Sequence, residues 1–202
     1  RPDVVHLHWA RFVVFMPRHL RVVVHAHGSD VRALQSEGRS LLRSALKRTA
    51  AVVVATPDLR SIPGLRTQYL PNPVDTATFQ PGDRSPTARP RPRVLLFARL
   101  TGIKGADTLI GAARMLRSGH GEDPDVLAFA GGDEDQRAAA VGVELLPPAR
   151  RPAEVAAVVR SCDVVIGQQA IGTLGLSELE AMACGLPVLV RIRRELYDAE
   201  VP

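Results

Sequence analysis

Hydrophobic positions along this chain fall into short unbroken runs, separated by stretches in which apolar residues recur every three or four positions. Runs at 3–8, 21–26 and 51–55 occupy the first half, and runs at 94–98, 126–130, 164–166 and 187–190 the second. Val22-Val23-Val24, Val52-Val53-Val54 and Val94-Leu95-Leu96 are typical of them: apolar at every position rather than at every other one. A strand of that kind has two faces to bury, which suits a parallel sheet covered by helices on both sides. The intervening pattern predicts helices over Ser40–Thr49, Ala106–Arg117, Pro152–Ser161 and Leu176–Ala183. Pro152 suits a first helical turn, and Gly185 lies just past a last one. Strand and helix alternating in this way predict an α/β layered fold.

One segment interrupts the alternation. Residues 81–93 hold four prolines, one glycine and five charged residues, with no apolar side chain larger than Ala. Such composition reads as a linker. It predicts a partial first domain over 1–80, a linker over 81–93 and a second domain over 94–202. The chain starts immediately before a strand and stops at Val201-Pro202 soon after another. The expectation is therefore a fragment, with an incomplete first domain and the last elements of the second missing.

Composition narrows the function classes. Of 202 residues, 46% are hydrophobic and 23% charged, which excludes global disorder. No apolar run approaches the 18 or so residues of a membrane span, and no signal-peptide pattern opens the chain. Two cysteines, Cys162 and Cys184, make neither a disulfide framework nor a four-ligand zinc site. Their environment gives no sign of a nucleophile, and the expectation is a cytoplasmic protein. The net charge is +5, with 24 Arg and two Lys. That balance favours anionic partners, an acidic membrane surface among them. Only 4% of residues are aromatic, too few for base-stacking platforms, so nucleic acid is not expected.

Two constellations could carry chemistry. Arg99-Leu100-Thr101-Gly102-Ile103-Lys104-Gly105 leaves a predicted strand and opens a predicted helix. Backbone N–H groups at such a turn favour an anion, and two cations five positions apart can grip a diphosphate. The same residues also read as surface cations near a helix start. Further on, Gly167, Gly172 and Gly175 form a glycine-rich loop between a strand and the helix from Leu176. Glu180 stands about one turn into that helix, where it can accept from sugar hydroxyls; Glu178 is expected to face elsewhere.

His6 and His8 alternate on one strand, and His25 and His27 on another, so each pair shares a sheet face. Spacing places no third ligand, and no metal is expected there. Asp133-Glu134-Asp135 follows two glycines and reads as a solvated turn.

Together these segments resemble a known family. The carriers are Arg99 and Lys104; Glu180 within Leu179-Glu180-Ala181-Met182-Ala183-Cys184-Gly185-Leu186-Pro187-Val188; and Leu70-Pro71-Asn72-Pro73-Val74-Asp75. Asp3-Val4-Val5-His6-Leu7-His8 and His25-Ala26-His27-Gly28-Ser29-Asp30 match its N-terminal half. The chain resembles, over nearly its whole length, GT-B glycosyltransferases of family 4. The resemblance implies two Rossmann-like parallel-sheet domains, the N-terminal one incomplete here, and a nucleotide-sugar donor held mainly by the second.

It further implies that Arg99 and Lys104 bind the donor diphosphate, and that Glu180 accepts from the ribose. Gly172, Thr173, Leu174, Gly175 and Leu176 would meet the phosphate or the donor sugar, and His27 the transferred sugar. The implied activity is a retaining hexosyl transfer to a glycan, lipid or small-molecule acceptor, without cofactor or metal. Peripheral association with an anionic membrane is compatible with it. The family commonly has a second Glu eight positions before the ribose-binding one, and Gly172 stands there. Gln168 or Gln169 is a candidate substitute for that contact. The departure and the missing ends favour, as an alternative, a non-catalytic nucleotide- or sugar-binding relative; a nucleotide-sugar epimerase, which shares the two-domain architecture, is a further one, and the fragment alone is expected to be inactive.

Overall fold

The computed structural model describes residues 3–32, 34, 40–82, 90–117, 123–149 and 151–197. They divide into two compact units: residues 1–72 together with 194–202, and residues 73–193.

The first unit is built on a four-stranded sheet: β1 (Val5–His8), β2 (Val22–Ala26), β3 (Ala51–Val54) and β4 (Thr67–Tyr69), in the spatial order β1-β2-β3-β4. Every pairing is parallel. Alternation decides which side chains go inside. Val22, Val24, Ala26, Val52 and Val54 point to one face, where they bury against Leu42, Ala45 and Leu46 of helix α1 (Ser40–Leu46) and against Ala10 and Val13. The register sets His8 beside His25 on the opposite face.

The second unit has a five-stranded, wholly parallel sheet. Its strands are β5 (Arg93–Leu96), β6 (Asp125–Phe129), β7 (Glu144–Leu146), β8 (Val164–Ile166) and β9 (Val188–Leu189), ordered β7-β6-β5-β8-β9. Successive residues of β5 feed two different cores. Val94 and Leu96 pack with Leu109, Ile110 and Ala113 of α2 (Ala106–Leu116) and with Ala138 of α3 (Asp135–Ala140). Leu95 packs with Ala156 and Val159 of α4 (Pro152–Arg160) and with Ala181 of α5 (Leu176–Ala183). This is the doubly covered sheet that the unbroken apolar runs require, and two Rossmann-like α/β units are present as expected.

The division between the units differs from the expected one. Residues 73–80 belong to the second unit, not the first. Phe79 is buried in the core beneath α4 and α5, with Val74 packed beside it, and Arg160 donates to the Thr78 carbonyl at 3.2 Å. One aromatic anchor thus carries the chain onto the second sheet before the proline-rich segment begins. Of the expected linker 81–93, residues 83–89 lie outside the described residues, and Arg93 already belongs to β5. At the other end, 194–197 cluster with the first unit rather than the second. Among the described residues no helix is long and apolar enough to cross a membrane.

Candidate functional site

In an open parallel sheet, ligands bind outside the carboxyl ends of the strands, at the point where strand order reverses. In the second unit that point lies between β5 and β8, because the chain builds outward from β5 to β7 on one side and from β8 to β9 on the other. The loops leaving β5 and β8 are the two constellations of the sequence, and a backbone hydrogen bond joins them. Gln169 N–H donates to the Lys104 carbonyl at 2.9 Å. Gly105, in the left-handed region at φ +83°, makes the approach possible; a Cβ there would stand 3.1 Å from the backbone of Gln169 and Ala170.

Each loop ends at a helix preceded by a glycine, which offers no capping side chain of its own: Gly105 before α2 and Gly175 before α5. At α5 the Gly175 N–H is already taken by Glu178, and the N–H groups of the first turn stand beyond it. First-turn N–H groups and the positive end of the helix dipole make both ends receptive to anionic oxygen. Lys104 is half-buried and Arg99 exposed beside them. Among the described residues the buried Thr101 hydroxyl has no hydrogen-bond partner, which leaves a polar group to satisfy a ligand.

The glycine loop is held from below by two side chains. Glu178 is 2% exposed; its Oε1 accepts from Gln168 N–H and its Oε2 from Gly175 N–H, both at 2.8 Å. Gly167 has to be glycine here, because a Cβ would sit 2.4 Å from Glu178 Oε1. Gln168, equally buried, accepts from Ile171 N–H at 2.8 Å and donates to the Thr173 carbonyl. Neither glutamine reaches out as a substitute for a sugar contact: Gln168 is folded into the loop, and the Gln169 amide donates to the Gly167 carbonyl at 3.0 Å.

Glu178 therefore does not face elsewhere. It fills the first-turn position whose carboxylate reaches back to the helix N-cap, a spacing visible in the sequence as Gly175-Leu176-Ser177-Glu178. Gly172 and Thr173 are buried in the loop, Leu174 and Gly175 half-buried, and Leu176 exposed. Gly172 has φ +82°, and a Cβ on it would meet Arg193 Cγ at 2.4 Å. At position 172, where the resemblance expects a glutamate, a side chain would be strained by the backbone and crowded by Arg193.

Glu180 is half-buried, and burial, reinforced by the charge of Glu178, pushes its carboxyl up from 4.5 to about 7. A carboxyl raised in this way holds its proton more tightly in the folded state. Its contribution to stability is full below about pH 4.5 and is lost as pH rises through about 7. Glu180→Gln should flatten that fall: between about pH 5 and pH 8 the variant should lose less melting temperature than the parent chain. Equal losses in both would remove Glu180 as the source.

His27 belongs to the first unit. Its Nε2 lies 2.8 Å from Nδ1 of His8. The loop after it is tied by Asp30, 1% exposed, whose carboxylate accepts from Gly28 N–H and Ala10 N–H at 2.9 Å and from His27 N–H at 3.2 Å. The sequence reading took Asp30 only as the end of the His25–Asp30 segment and missed this role, although an acid in the turn after a strand is a common loop-closing signal. Trp9, immediately before Ala10, has φ +69°, the one described non-glycine residue with positive φ. The acidic turn at 133–135 is engaged internally: Asp135 accepts from Gly131 N–H and Gly132 N–H, and Glu134 pairs with Arg137.

Residues 91–196 match the model of the family described as glycosyl transferases group 1. The chain belongs to this family. Among curated glycosyl transferases, it is 35% identical over 144 residues to a D-inositol 3-phosphate glycosyltransferase of Pseudarthrobacter chlorophenolicus, covering 61% of this chain and 33% of that protein. The enzyme of the same name from Mycolicibacterium gilvum is 34% identical over 133 residues, covering 57% and 29%. The chain thus spans about a third of the length of these relatives. Among solved structures it superimposes on Anabaena HepE in complex with UDP-glucose with a TM-score of 0.72 at 20% identity, covering 98% of this chain and 62% of that one. The sucrose-phosphate synthase of Thermosynechococcus elongatus gives 0.69 at 19% identity, covering 93% and 55%. These two likenesses establish the fold.

Proposed function

We propose that the second unit is the donor-binding part of a retaining glycosyltransferase that uses a nucleotide-diphosphate sugar. The observation that carries this reading is the hydrogen bond from Gln169 to Lys104, which brings the cationic turn and the glycine loop together at the sheet's switch point. Arg99 and Lys104 would hold the diphosphate and stabilise the departing nucleotide by charge, without a bound cation. The N-terminal ends of α2 and α5 would add N–H donors, and Glu180 would accept from the ribose. His27 would meet the transferred sugar. The names of the curated relatives support sugar transfer, and the UDP-glucose bound by HepE supports a donor of this class.

The test is thermal shift of the purified chain with UDP, GDP and ADP. At about 100 times the dissociation constant, the matching nucleotide should stabilise the chain by about 2.7 kcal/mol. Arg99→Ala and Lys104→Ala should each weaken its binding by about 1.5–3 kcal/mol, Arg99 toward the lower end because water screens it. A cooperative melt that none of the three nucleotides moves would overturn donor binding. The crowded position at Gly172 favours a second reading, a relative that binds the donor without transferring the sugar. Turnover of a bound nucleotide sugar by the complete protein would reject it.

A further inference from the structure

Four imidazoles cluster on the face of the first sheet opposite its core. His6 and His8 project from alternate positions of β1, and the register places His25 of β2 directly beside His8. Ring centroids lie 4.6 Å apart for His6 and His8, 5.4 Å for His8 and His25, and 5.8 Å for His6 and His25. His27 stacks on both His8 and His25, at 5.1 and 4.7 Å. One ring nitrogen from each of His6, His8 and His25 lies within 4.8 Å of the others.

We propose that His6, His8 and His25 form a binding site for a first-row divalent cation of the zinc type. Imidazole nitrogen is a preferred ligand of such ions, and three of them with one open position is an established zinc arrangement. His25 supplies the decisive observation: it is 6% exposed, and among the described residues its Nε2 is buried without a hydrogen-bond partner. A buried, unpartnered imidazole nitrogen facing two other imidazoles is costly when empty and useful when ligated.

The outer contacts also fit. Metal-bound histidines fix their orientation through the ring nitrogen that does not touch the metal. Here His25 makes a backbone hydrogen bond with Leu70, and His8 Nδ1 is engaged by His27. Each of these rings therefore has a nitrogen left for a cation. Zinc–nitrogen bonds of about 2.0–2.1 Å require ligand atoms roughly 3.4 Å apart. His6 is exposed, so rotation of its ring can close the gap to the other two.

The experiment is titration of the chelator-treated, tag-free chain with Co²⁺, read by its visible spectrum, followed by displacement with Zn²⁺. The expected result is saturation at one equivalent with the strong bands of a four-coordinate ion, bleached by one equivalent of Zn²⁺. His6→Ala and His8→Ala, both at exposed positions, should each weaken Co²⁺ binding at least about tenfold, with unchanged melting in the absence of metal. His19→Ala, outside the cluster, should bind as the parent does. Absence of saturable binding, or an affinity in His6→Ala and His8→Ala equal to that of the parent chain, would overturn the assignment.

Discussion

Glu178→Ala is expected to lower the unfolding free energy by about 3–4 kcal/mol, measured by urea denaturation at pH 7. The side chain is 2% exposed and accepts from two backbone N–H groups seven residues apart, those of Gln168 and Gly175. Removing it leaves two donors without partners, at about 1–3 kcal/mol each, and opens a void beneath the loop. Glu178→Gln should recover part of the loss, because one amide oxygen still accepts while the amide nitrogen opposes the second donor. Nucleotide affinity of the folded Glu178→Ala chain should fall as well, since the loop that carries Gly172 to Gly175 is no longer held. A loss under about 1 kcal/mol would mean that water replaces the carboxylate, and that the loop is organised without it.

The second large effect is expected in the first unit. Asp30 is 1% exposed, and its carboxylate closes the turn after β2 onto the turn after β1 through Ala10, His27 and Gly28. Asp30→Ala should cost about 3–5 kcal/mol, as expected for three charge-assisted bonds broken in a buried place. Asp30→Asn keeps one acceptor oxygen and should cost roughly half as much. Because Ala10 follows the strained Trp9, the same variant should relax Trp9 toward ordinary backbone angles, read as a change in its fluorescence. Unchanged fluorescence together with unchanged stability would show that the two turns hold themselves without Asp30.

How far these features could be read in the sequence depends on their physics. Six of the seven predicted strands were legible as apolar runs, and β8 begins and ends where its run does; β1 instead alternates, as Val5-His6-Leu7-His8. β4 and β7 were not legible, since each has three residues, none of them fully buried. α3 was hidden for a similar reason: its six residues start in an acidic turn and bury Ala138 alone. Proline and charge located a break in the pattern, yet the boundary followed Phe79, a single side chain whose destination composition does not record.

At the candidate site, the two loops were readable from strand-to-helix order, and their junction through Gln169 and Lys104 was not. Glu178 was misallocated because spacing from Leu176 was weighed and reach back to Gly175 was not. The histidines appeared as two separate pairs. Only strand register makes them one group, and register is a relation between strands that neither strand contains alone.

The left-handed backbone at Gly172 and the side chain of Arg193 leaning over it also constrain how this protein can change. A glutamate regained at 172 in one step would meet both obstacles at once. Shortening Arg193 first removes only the collision, and the unfavourable dihedral stays with any non-glycine residue. Mutational routes back to the two-glutamate pattern therefore depend on order, with the loop refolding through neighbours such as Gln168 before the new side chain is tolerated. A library that randomises position 172 alone should therefore return glycine.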